Sequence, residues 1–93
     1  MTYQDTINRQ IFHIESMIGA IEKPAPRYTK FDLETFYLCG VQDCTTTKEF
    51  LEVIYDNGGI SADEFQLYRN RIFDARNQLT KLHNEIGLWR DLK

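Results

Sequence analysis

The 93 residues, 42% hydrophobic and 13% aromatic, can enclose one core but not two, and are too apolar for a disordered chain; positions 1–93 are expected to form a single domain. A net charge of −3 and a pI near 5.3 argue against direct binding to duplex DNA, yet fall far short of the dense acidity of a DNA mimic. No stretch approaches the roughly 18 apolar residues of a membrane span, and residues 1–23 are amphipathic rather than a basic start followed by an apolar run, so a cytoplasmic protein that does not engage the membrane is expected.

In chain order, Thr2 caps a first predicted helix, near 3–22, on which Ile7, Ile11, Ile14, Ile18 and Ile21 repeat at 4, 3, 4, 3. That is the spacing of a bundle seam. Phe12 and Met17 lie beside it and widen the apolar face, while Gly19 and Ala20 offer close approach to another backbone. Pro24 and Pro26 end the helix by removing amide donors and by driving the residues before them out of α geometry. A brief second helix is expected over 31–39, anchored by Phe31, Phe36 and Tyr37 and stopped by Gly40. Thr46 and Glu49 then have the spacing of a capping box, which predicts a third helix over 47–56 burying Phe50, Leu51, Val53 and Ile54.

Asn57-Gly58-Gly59 is a turn of residues that tolerate positive φ, and Ser61-Ala62-Asp63-Glu64 is a further capping box opening the last helix, near 61–90. There Phe65, Tyr68, Ile72, Ala75, Leu79, Leu82, Ile86 and Trp89 recur at 3, 4, 3, 4, 3, 4, 3. A seam held this long expects other helices against it. The fold class is therefore all-α, a small bundle of about four helices with the long C-terminal helix pairing with the N-terminal one. At about 1.5 Å per residue the last helix is about 39 to 48 Å long, more than the roughly 32 Å across a compact domain of this size. Its end, around Leu82, Ile86 and Trp89, is thus expected to be covered by another chain, either a protein partner or a second copy, with a dimer as the simplest oligomer.

Charge is unevenly placed: residues 1–60 hold nine acidic and five basic side chains, residues 61–93 five acidic and six basic. In heptad positions Arg69, Arg76, His83 and Arg90 flank the last seam on one side and Arg71, Gln78 and Glu85 on the other, while Glu15 and Glu22 flank the first helix and Glu49, Glu52 and Asp56 share one face. Pairing of arginines with carboxylates across the bundle is one consequence. The other is that Arg69, Arg71 and Arg76 form an exposed site for an acidic partner or a phosphate-bearing ligand. Arg27-Tyr28-Thr29-Lys30-Phe31 interleaves cations with aromatics, a pattern able to stack a base while neutralising phosphate, so Arg27, Tyr28 and Lys30 are the candidates for a nucleotide site.

Catalytic residues are not identifiable. His13 and Glu15, and His83 and Glu85, are two residues apart and face different ways on a helix, and neither a nucleophile with its base nor a Gly-rich phosphate cradle is present. Cys39 and Cys44 are the only cysteines, and His13 and His83 lack ligand spacing to them, so neither a metal nor a cofactor is expected.

From Thr45 to Leu82 the chain carries a capped helix with Leu51-Glu52, a turn into Ile60-Ser61-Ala62-Asp63-Glu64-Phe65, and Asp74-Ala75-Arg76. This segment faintly resembles the Hha/YmoA family of small nucleoid-protein modulators, which has Asp-His-Arg at the last of these. Ala75 replaces the histidine, the chain has an additional N-terminal helix, and under half of it is covered, so no functional residue is carried across. The function expected is binding without catalysis: a small regulator or inhibitor that occupies a surface of a macromolecule, of the size and character of phage or mobile-element accessory proteins that block host defence or regulatory proteins. An oligomeric nucleotide-sequestering protein and a structural assembly subunit are the alternatives.

Overall fold

The computed structural model describes residues 2–85. Three helices follow one another, α1 (Tyr3–Glu22), α2 (Lys30–Asp56) and α3 (Ala62–Glu85), with no strand among the described residues. Each opens with the same device, a hydroxyl accepting from the amide three residues on while the carboxylate there accepts from the cap amide. The pairs are Thr2 with Asp5, at 3.1 and 3.3 Å, Thr29 with Asp32, at 3.2 and 2.8 Å, and Ser61 with Glu64, at 3.1 and 3.2 Å.

The expected second and third helices are one continuous helix. Gly40 is not a stop: it is buried inside α2, where a Cβ would lie 2.9 Å from Leu79 Cδ1, so the missing side chain admits α3 rather than ending α2. The Thr46–Glu49 box does not form either. Thr45 donates its hydroxyl to the Val41 carbonyl four residues back at 3.3 Å and Thr47 is buried, so the threonines are accommodated in the helix interior. The cap the sequence assigned to Thr46 sits instead at Thr29. The turn at 57–59 forms as expected, with Gly58 at φ +74° and the Gly59 amide reaching back to the Ile54 carbonyl at 2.8 Å.

The bundle runs up, down, up. Tyr3 meets Gly59 and His13 meets Asp43, so α1 is antiparallel to α2, whereas Asn8 meets Tyr68 and Glu15 meets Arg71, so α1 and α3 are parallel. All five stripe isoleucines of α1 are at most 3% exposed and pack with Leu33, Cys44, Leu51 and Ile54 of α2 and Tyr68, Ile72, Ala75 and Leu79 of α3. Each large aliphatic side chain so buried contributes about 1.5–3 kcal/mol. Phe65 and Leu82 pack at the edges of this core.

Several face assignments differ from expectation. On α1 Met17 is buried but Phe12 is 69% exposed; on α2 Phe31 is 75% exposed and Val53 58%, because continuing α2 through Gly40 fixes one helical phase for residues that two separate helices could have rotated independently. A Cβ at Gly19 would have nothing within 4 Å, so it is no contact point among the described residues. Over its described 24 residues, about 36 Å, α3 lies alongside α2, which has 27 residues and is about 40 Å long. Residues 86–90 of the predicted last helix, with Ile86 and Trp89, lie outside the described residues.

Two glycine substitutions should part company. Gly19→Ala gains helix propensity of about 0.5–1 kcal/mol at no steric cost, so the melting temperature should rise by a few degrees, whereas Gly40→Leu adds a full side chain where even a methyl meets Leu79 and should lower it. Thermal unfolding followed by circular dichroism checks both, and an unchanged melt for Gly40→Leu would refute the α2–α3 packing described here.

Candidate functional site

The core stripe of α3 separates the arginines named from sequence. Arg71 falls on the α1 side, where it donates from Nη1 to Asn8 Oδ1 at 2.9 Å and from Nη2 to Glu15 Oε1 at 3.3 Å. Asn8 in turn donates to the buried Tyr68 hydroxyl at 3.4 Å. Arg71 is thus engaged within the bundle, in a partly exposed pair of the kind that contributes at most about 1 kcal/mol.

Arg69 and Arg76 fall on the α2 side. With Lys48 of α2 and Phe73 they surround a notch floored by Cys44 and Ile72. Its open volume of about 20 Å³ suits one water, not a ligand, so whatever is recognised here meets the rim. The Arg69 guanidinium carbon lies 5.1 Å from the Phe73 ring centroid, and Phe73 is 41% exposed. Lys48 pairs with Glu52 at 3.8 Å, but among the described residues no carboxylate pairs with Arg69 or Arg76. Beneath them, burial drives the Cys44 thiol up to about 11, opposed by the Arg76 charge and reinforced by Asp43.

Leu82 is half-buried and borders a groove of about 140 Å³ with Glu22, Gln78 and Lys81, at the far end of the α1–α3 contact. Of the nucleotide candidates, Tyr28 is half-buried, edge-on to Phe36 with centroids 5.1 Å apart, and has the Arg27 guanidinium 5.4 Å from its own centroid. A base would compete with Arg27 for that ring. Lys30 is the first residue of α2, immediately after the cap.

A further groove, of about 390 Å³ between α1 and α2, is lined by Arg9, Gln10, His13, Asp43, Thr46 and Thr47. His13 Nε2 is 3.7 Å from Asp43 Oδ2, beyond hydrogen-bonding distance, and its side chain is largely exposed, so the pair is a surface ion pair when the imidazole is protonated. No sequence spacing could have revealed it, because the partners are brought together by antiparallel packing across thirty positions. Lys48 likewise joins the arginine rim only through tertiary structure.

No family, curated protein or solved structure matches the chain. The resemblance to the Hha/YmoA family therefore rests only on the residues quoted for it, and its capped helix start near Thr46 is absent, since α2 runs through that position.

Two measurements probe this surface and its opposite flank. Cys44 has its pKa raised in the folded state, so between about pH 9 and pH 11 the unfolded chain releases its thiol proton while the folded chain keeps it. Folding stability should fall as pH rises through that window, and urea titrations of wild type and Cys44→Ala should show a shallower alkaline slope in the variant. Arg71→Glu should destabilise by about 1 kcal/mol through loss of the Glu15 pair and like-charge contact, and adding Glu15→Lys should restore most of it; no recovery in the double variant would mean that the pair is not formed.

Proposed function

We propose that this chain is a non-enzymatic, protein-binding regulator or inhibitor that acts in the cytoplasm by occupying an acidic surface of a macromolecular partner, and that the α2–α3 ridge of Arg69, Phe73, Arg76 and Lys48 makes the contact. The observation that carries this is the state of the two arginines: both flank a partly exposed ring and neither is neutralised by a carboxylate among the described residues. Arginine and aromatic side chains in such an arrangement dominate binding energy at protein interfaces, since they offer large contact area together with several directed donors.

A net charge of −3, and the acidic Glu52 alongside Lys48, favour an acidic protein surface over a continuous phosphate backbone. Arg71, held by Asn8 and Glu15, belongs to the scaffold in this account. Leu82, Ile86 and Trp89 remain the proposed second contact, at the C-terminal end, and the chain free of its partner self-associates.

The test compares immobilised wild type with Arg69→Glu/Arg76→Glu and with Arg27→Ala in capture from native-host lysate, read by quantitative mass spectrometry. A protein should be retained by wild type and Arg27→Ala and depleted about tenfold or more by the double reversal, whose melting temperature should fall by no more than a few degrees because only the Arg69–Phe73 contact, and no internal ion pair, is lost. Equal retention by all three would overturn the assignment.

A further inference from the structure

The ridge has a counterpart on the same molecule. Arg69, Phe73 and Arg76 stand at positions i, i+4 and i+7 of α3, and Glu49, Val53 and Asp56 stand at i, i+4 and i+7 of α2. In both sets two like charges, about 10.5 Å apart along the axis, bracket an exposed apolar side chain, Phe73 at 41% and Val53 at 58%. The signs are opposite. Neither Glu49 nor Asp56 has an ion-pair or hydrogen-bond partner among the described residues, as neither Arg69 nor Arg76 has a carboxylate.

We infer that the occupant of the Arg69–Phe73–Arg76 ridge in the free protein is the Glu49–Val53–Asp56 row of a second copy of this chain, so that self-association masks the surface used for the partner. The inference rests on the function proposed above and adds its regulation. Two helices laid alongside keep such a register over two turns, bringing each arginine to a carboxylate and Val53 onto the Phe73 ring. An extended segment fits less well, because side chains on one face of a strand recur at about 6.7 Å and again at about 13 Å, either side of the 10.5 Å required.

Row and ridge are different surfaces, so the contact is head-to-tail. Such a contact does not close on itself after two copies, and assemblies grow with concentration. Exposed ion pairs make it weak and salt-sensitive, suited to yielding to a partner with a better acidic surface.

Sedimentation velocity over a concentration series up to high micromolar tests the inference. Wild type should show an average mass that climbs with concentration and falls with added salt. Arg69→Glu/Arg76→Glu retains only the row, and Glu49→Arg/Asp56→Arg only the ridge, so each alone should be monomeric, with association weakened about tenfold or more. Mixed in equal amounts they should associate and grow again with concentration, because the basic ridge of the second variant meets the acidic row of the first and the acidic ridge of the first meets the basic row of the second. A monomeric wild type at high micromolar concentration would overturn the self-contact while leaving partner binding by the ridge intact, which the capture experiment reads separately. Association that survives either double reversal, or a mixture that stays monomeric, would also overturn it.

Discussion

Leu79 packed into the space left by Gly40 is the contact on which the arrangement of the three helices depends. A side chain at position 40 would hold α3 away from α2, and a helix break there would let the two halves of α2 rotate separately. With neither present, α2 runs for 27 residues as a single spine, with α1 and α3 packed against it, and one helical phase decides which of its residues are buried. Leu33, Cys44, Leu51 and Ile54 face inward as a consequence, and Phe31 and Val53 face out.

The same packing divides the charges. A helix whose core stripe is set by Tyr68, Ile72, Ala75 and Leu79 must send residues on either side of that stripe toward different neighbours. Arg71 meets α1 and finds Asn8 and Glu15; Arg69 and Arg76 meet the Cys44 and Lys48 side of α2 and find no carboxylate there. Three arginines within eight positions thus acquire two roles, one holding the bundle together and one leaving a cationic ridge over a buried, protonated thiol. The ridge is local: its positive potential coexists with a negative total because acidic side chains, among them the exposed Glu49, Glu52 and Asp56 of α2, stand elsewhere on the surface.

Much of the fold was legible because helical periodicity is a local property. The isoleucine stripe of α1, the seam of α3 up to Leu82, the caps at Thr2 and Ser61 and the turn at Gly58 all follow from residues within a few positions of one another. The division of α2 was misread for the same reason. Gly40 and Thr46 carry ordinary stop and start signals, and only Leu79, nearly forty residues away, makes the glycine a packing residue instead. Among the candidate site residues, Arg69 and Arg76 were identifiable from their heptad positions, but Lys48, Phe73 and the separation of Arg71 were not, since each depends on which helix lies across the groove.

By itself the sequence determined an all-helical chain, the faces of α1 and α3 that are buried, and the excess of positive charge toward its end, because each is written in spacing along a single helix. Tertiary structure decided that there are three helices among the described residues rather than four, and which arginines are neutralised. Those outcomes are set by contacts between residues distant in sequence, where the absence of one Cβ at Gly40 and the position of one carboxylate at Glu15 outweigh local preference.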